Sequence, residues 1–158
     1  MPTQNKFFKS INLKEIIKKT KAVILGVSAG SMNCADIVYA QPELEGEALD
    51  LMYKRYIKGL GLTKISILPH YGDEDRKVLD GMDIEKDISL LDSKKHGFIA
   101  YPDESYILQI GNKAKLYGEG YLYLNGEKTK INDMNKILDL SGIVKKLQKF
   151  NKRSRLLI

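Results

Sequence analysis

A serine becomes a useful nucleophile where the backbone holds its hydroxyl clear and a base stands beside it. Gly26-Val27-Ser28-Ala29-Gly30 has the G-x-S-x-G pattern. The apolar run AVILG precedes it at 22–26, and SMNCADIVYA, which is helix-compatible, follows it. This order predicts a strand, a sharp turn and a helix, the setting a nucleophile elbow requires. The steric expectation is that both glycines are needed, since side chains two residues either side of Ser28 would collide. Such a turn aims the Ser28 hydroxyl out at a strand's carboxyl end, and the Ala29 backbone N–H can donate to an oxyanion there. The alternative is a glycine-flanked turn in which Ser28 merely caps the helix.

A serine nucleophile needs a base, and the chain holds two histidines, His70 and His96. His70 ends ISILPH, which puts it at a strand's carboxyl end, the edge where open α/β sheets build their sites. His96 lies in Lys94-Lys95-His96-Gly97, a polar turn, and is expected to be solvated. The third member should be a carboxylate that orients the imidazole. Asp103, in Tyr101-Pro102-Asp103-Glu104-Ser105, follows the apolar GFIAY and is the candidate; Glu104 is its rival, and Pro-Asp is also ordinary turn chemistry. The chain order Ser28, His70, Asp103 differs from the nucleophile, acid, base order of α/β-hydrolases. That order would require His96 together with an acid from 73–92.

These residues must be carried by regular elements. INLKEIIKKT at 11–20 has helical periodicity, with Ile11, Leu13, Ile16 and Ile17 near one face. A basic amphipathic stretch can lie on a membrane surface, but its short apolar face reads rather as a helix covering an α/β sheet. AVILG and KISILPH read as strands buried on both faces, because they do not alternate. Residues 48–60 show helical spacing through Leu49, Met52, Tyr56 and Leu60, with Gly59 and Gly61 as breakers. Residues 73–93 are acidic and helix-compatible, with Gly81 a break. GFIAY, SYILQI, KAKLYG and GYLYLNGEKTKI form a run of short strands, the last turning at Asn125-Gly126. A closing amphipathic helix lines up Ile137, Leu140, Val144 and Leu147. The expected fold is one α/β domain over 1–158: a three-layer sandwich on a mostly parallel sheet, with an antiparallel β-meander in its C-terminal part.

GVSAGSMN, GLGLTKISILPHY and AYPDESYILQI, in that order and spacing, resemble the peptidase E (aspartyl dipeptidase) family of serine peptidases. The resemblance covers residues 3–125. It implies a fold like class I glutamine amidotransferase domains, also described as flavodoxin-like. It also implies Ser28 as nucleophile, His70 as base and Asp103 as acid, at a position where some members carry Glu. Relative to the family the chain looks N-terminally shortened, lacking further strands and a glycine-rich loop, so a sheet edge beside 22–27 should be unpaired and its apolar side chains exposed. Arg76 is the one arginine between His70 and Asp103, so aspartyl specificity is not implied. The function read from the sequence is peptide hydrolysis through an acyl-enzyme. A catalytically silent relative and an esterase-like acyl hydrolase are the alternatives.

Length and composition agree with a folded domain of this kind. The chain has 158 residues, 43% of them hydrophobic, and no apolar run approaches the roughly 20 residues of a membrane span. Its net charge of +6 resides in 140–158, where Lys145, Lys146, Lys149, Lys152, Arg153 and Arg155 face no acid. The remainder balances, with 20 basic and 20 acidic residues, which argues against a nucleic-acid partner. No membrane partner is expected either; a small peptide substrate and self-association through the unpaired edge are. The single cysteine, Cys34, cannot form an internal disulfide; it reads as a small buried thiol and suits a reducing cytoplasm. No cofactor or metal is expected, because no phosphate-loop or metal-ligand spacing occurs.

Overall fold

The computed structural model describes residues 2–72 and 77–154. Helices α1 (Pro2–Ser10) and α2 (Leu13–Lys19) lead, through an irregular stretch, to the short α3 (Ala29–Asn33). Strands β1 (Ile37–Tyr39), β2 (Tyr56–Lys58) and β3 (Ile67–Leu68) follow, then the small hairpin β4 (Val78–Leu79) and β5 (Met82–Asp83). A wide π-type turn over Ile84–Ser89 runs into α4 (Leu90–Asp92). The rest is β6 (Phe98–Ala100), β7 (Tyr106–Ile110), β8 (Lys113–Tyr117), β9 (Gly120–Leu124), β10 (Glu127–Asn132), β11 (Ile137–Asp139) and α5 (Ser141–Ser154).

The C-terminal strands are the best-formed part, but they divide between two sheets and do not make the expected meander. Asn125 and Gly126 both take positive φ, 56° and 84°, the two left-handed residues a tight hairpin needs between β9 and β10. β6, β9 and β10 join β3 in a four-stranded sheet, and β7, β8 and β11 make a second sheet of three. Apolar residues of both sheets and of α5 meet in one core, where Phe98 stacks between Tyr39 at 4.4 Å and Tyr123 at 4.9 Å. Stacked rings of this kind contribute beyond the area they bury.

The expected mostly parallel, three-layer sandwich is not what forms. Among the described residues the sheets hold two to four strands, and only β3 and β6 pair in parallel; every other strand pair is antiparallel. The cause lies in the first half of the chain. Residues 22–27 form no strand and have no neighbouring strand: Val23, Leu25 and Val27 are 93%, 87% and 73% exposed. A strand pattern buries nothing unless other strands flank it. The helix after the elbow ends at Asn33, and the chain passes directly into β1.

Residues 48–60 are not a helix. They turn and then form β2 against β1, with Tyr56 packed on Tyr39, so that Leu49, Leu51 and Met52 stay exposed. Gly59 is required there, because a Cβ would sit 2.2 Å from the Ala35 carbonyl oxygen. Of the acidic stretch 73–93, residues 73–76, Arg76 included, lie outside the described residues. Residues 78–83 are the β4–β5 hairpin, and only the Ile84–Ser89 turn and α4 are helical. Ile137 belongs to β11 and is exposed, leaving Leu140 and Leu147 as the buried anchors at the α5 end. Of the basic segment at 140–158, Arg155 lies outside the described residues. α2 buries no residue and α1 only Asn5, so neither helix covers a sheet. No described helix is long and apolar enough to cross a membrane.

Candidate active site

Ser28 has φ 50° and ψ −125°, a conformation that side-chain-bearing residues rarely adopt. Two contacts hold it there. The Gly30 N–H donates to the Val27 carbonyl at 2.8 Å, and the Ser31 hydroxyl donates to the Ser28 carbonyl at 2.6 Å. The two flanking glycines are not equivalent. A Cβ on Gly26 would stand 2.6 Å from Ser31 Cα, whereas one on Gly30 would meet nothing within 4 Å. The turn therefore needs its first glycine and not its second, which corrects the expectation that both are sterically required. The Ser28 side chain makes no capping bond to α3, so the plain cap does not describe it.

His70 follows β3 and Asp103 follows β6, and the parallel pairing of those strands brings them together. Leu68 lies opposite Ala100; one step on, the Tyr101 N–H donates to the Leu68 carbonyl and the Tyr71 N–H to the Tyr101 carbonyl, both at 3.1 Å. Held between these two bonds, His70 takes φ 62° and its ring is aimed by the backbone. Its Nδ1 lies 2.5 Å from Asp103 Oδ1 and its Nε2 lies 2.8 Å from Ser28 Oγ. Asp103 cannot donate when ionised, so Nδ1 carries the proton and Nε2 is left to accept from the Ser28 hydroxyl. Glu104 makes no hydrogen bond or ion pair among the described residues, so of the two adjacent carboxylates only Asp103 touches His70. The Ala29 N–H, beside Ser28, has no acceptor among the described residues and is free to donate.

The site is open to solvent: the His70 side chain is 28% exposed and that of Asp103 72%. α3 is fixed to the core by buried Met32, and the side chain of Tyr101, the residue before Pro102, lies beside Ser31. The elbow and the strand ends thus lie next to each other. On the other side of His70 opens a cavity of about 370 Å³. Leu68, Pro69, Tyr71, Ile84 and Tyr123 contribute its apolar surface, and Gln41 and Ser89, hydrogen-bonded at 2.7 Å, a neutral polar part. Glu85 in its wall is occupied by Lys128 at 2.5 Å, and Lys128 also donates to the Tyr71 hydroxyl. Although desolvation opposes it, these bonds hold the Lys128 ammonium above its ordinary pKa. No composition or spacing signal pointed to this cavity, because its walls come from four separate segments.

His96 is not the solvated residue its polar neighbours suggest. It is buried, with Nε2 2.7 Å from Ser66 Oγ and 3.1 Å from Asn151 Nδ2, and it ties β3's approach to α5. Cys34 is half-buried against the Gly30 carbonyl, and burial pushes its thiol pKa up, away from the reactive thiolate. Among the described residues no three His, Cys, Asp or Glu side chains gather closely enough to hold a metal ion. Compared with family models and with curated proteins, the sequence finds a match in neither.

Proposed function

We propose that the chain is a serine hydrolase that cleaves small peptides through an acyl-enzyme on Ser28, in the manner of the peptidase E family its motifs resemble. One observation carries the reading: Ser28 Oγ, both ring nitrogens of His70 and Asp103 Oδ1 form a continuous hydrogen-bonded line, with Ser28 in an elbow conformation. Ser28 attacks the scissile carbonyl while His70 Nε2 takes its proton. The developing imidazolium is stabilised by Asp103, which accepts from Nδ1–H throughout. The Ala29 N–H donates to the oxyanion, and His70 then returns the proton to the leaving amine. Water, deprotonated by the same nitrogen, releases the acyl group. The cavity beside His70 is the natural receptacle for a substrate side chain. The lone cysteine fits work in a reducing cytoplasm.

The test is labelling by a fluorophosphonate, read by intact mass and peptide mapping. Wild type should take one equivalent on Ser28, Ser28→Ala none, and His70→Ala should slow labelling by about 10³-fold or more. A second reading is favoured by the solvent-exposed approach to the elbow at 23–27. There a silent relative keeps the line of side chains but lacks a firmly backed oxyanion site. Losing one oxyanion donor costs about 10²–10³ in rate. A wild type that never labels, at any pH or probe concentration, would decide for it.

A further inference from the structure

We propose that residues 2–27 form a surface that docks on a bilayer carrying anionic headgroups. The inference does not depend on the chemistry at Ser28. A helix that covered a sheet would bury its apolar stripe, yet α2 buries nothing and α1 is fastened through a polar residue. The Asn5 amide donates to Asn33 Oδ1 at 2.6 Å and to the Lys58 carbonyl at 3.0 Å. That attachment holds α1 to the fold; Phe8, Leu13 and Ile17 are half-buried, while Phe7 of α1 is 57% exposed and Ile16 of α2 55%. The irregular stretch behind them adds Val23, Leu25 and Val27, more exposed still.

The same stretch is basic. It holds Lys6, Lys9, Lys14, Lys18, Lys19 and Lys21 against one acid, Glu15. Glu15 pairs with Lys18 at 2.8 Å, and the other five lysines have no ion pair among the described residues. Exposed aliphatic and aromatic side chains interleaved with unpaired lysines are what an anionic interface takes up: the apolar groups enter the headgroup boundary and the ammonium groups meet lipid phosphate. A second copy of this chain fits less well, because it would bring twelve lysines together with two glutamates. Nucleic acid would engage the lysines and leave the apolar side chains in water.

The experiment is flotation of the full chain with vesicles of phosphatidylcholine alone and with about 30% phosphatidylglycerol added. Binding should be at least tenfold tighter to the anionic vesicles and should fall at least tenfold when salt rises to about 0.5 M. K18E/K19E/K21E and, separately, V23S/L25S should each lose at least tenfold. All these side chains are exposed, and unchanged circular dichroism and thermal transition would verify the fold. K145E/K149E, on α5, is the control and should bind as wild type. Equal binding to both vesicles, loss with the α5 variant equal to that with the N-terminal ones, or retention by V23S/L25S would overturn the proposal. So would self-association in sedimentation velocity without vesicle binding, which would assign the surface to a second copy.

Discussion

Replacing Gly26 by alanine should disable the elbow, while the same change at Gly30 should not. The Gly26 Cβ would be 2.6 Å from Ser31 Cα and 2.8 Å from Ser31 N, against the 3.4 Å that nine in ten Cβ contacts exceed. The obstructing atoms are backbone, so the turn must open by about 0.8 Å rather than a side chain swing aside. Ser31 cannot yield alone, since its hydroxyl holds the Ser28 carbonyl at 2.6 Å. An opening of that size takes Ser28 Oγ from 2.8 Å to outside the hydrogen-bond reach of His70 Nε2. Misplacement by about 1 Å costs about 10² in rate, and forced overpacking about 1–3 kcal/mol in stability. Gly30→Ala meets nothing within 4 Å and adds a helix former inside α3, so its stability should be unchanged or raised by up to about 1 kcal/mol. Second-order rates of fluorophosphonate labelling, with thermal melts of both variants, give the comparison. A Gly26→Ala protein that labels and melts like wild type, or two variants equally damaged, would refute the steric reasoning. The stability half holds whether or not Ser28 reacts.

Asp103→Asn should cut Ser28 labelling by about 10³–10⁴, because the amide favours the wrong tautomer of His70, whereas Glu104→Gln should change it less than threefold; equal small effects would remove Asp103 from its role. Ser28→Gly should be more stable than Ser28→Ala by about 1 kcal/mol or more in urea unfolding, since only glycine relieves the positive φ. Burial raises the Asp92 carboxyl pKa, against the opposing Tyr39 hydroxyl and the charges of Arg55 and Lys95. Its contribution to stability is therefore full below the ordinary carboxylate value and lost as pH rises from about 4 toward neutral. Asp92→Asn should gain on wild type over that range, and a difference running the other way would contradict the burial. Asn151→Ala should destabilise by about 1–3 kcal/mol in the same assay, because it strips buried His96 and the Gly97 N–H of a partner.

The two halves of the chain differ in how far they could be read. Strands β6 to β10 were legible because their information is local: short alternating or apolar runs, closed by Asn125-Gly126, whose required backbone conformation few other pairs supply. Ser28, His70 and Asp103 were legible for the same reason, as each sits at the end of a run that breaks sharply. Residues 22–27 and 48–60 were not, since an apolar run states only that it would be buried if something lay against it. For 22–27 nothing does. For 48–60, β1 offers an edge, and pairing with it outweighs a helical periodicity that would have left Tyr56 without Tyr39 and Asp92. His96 misled because its neighbours Lys94 and Lys95 are polar, while its own environment is set by Ser66 and Asn151, 30 and 55 residues away.

The line of Ser28, His70 and Asp103 forms without the mostly parallel sheet that was expected. A mostly parallel sheet would have aligned several strand ends along one edge, and the site needs only two of them. β3 and β6, in register from Ile67 with Ile99 to Leu68 with Ala100, place His70 two residues and Asp103 three residues beyond their last paired rung. Ser28 is then brought in by a different route, through α3, whose Met32 is buried in the core and whose Ser31 lies beside Tyr101. Tyr101 is the common member: its backbone bonds Leu68 and Tyr71 on either side of His70, its side chain lies beside Ser31 of the elbow, and it precedes the Pro102-Asp103 turn. Tyr101→Phe keeps the backbone rungs and removes only the hydroxyl beside Ser31. It should therefore slow Ser28 labelling by several-fold to tenfold while leaving the His70–Asp103 contact and the melting transition nearly unchanged. An effect as large as that of Asp103→Asn would mean that the hydroxyl acts on the reaction itself, and none at all would mean that the Gly30–Val27 bond holds the elbow unaided.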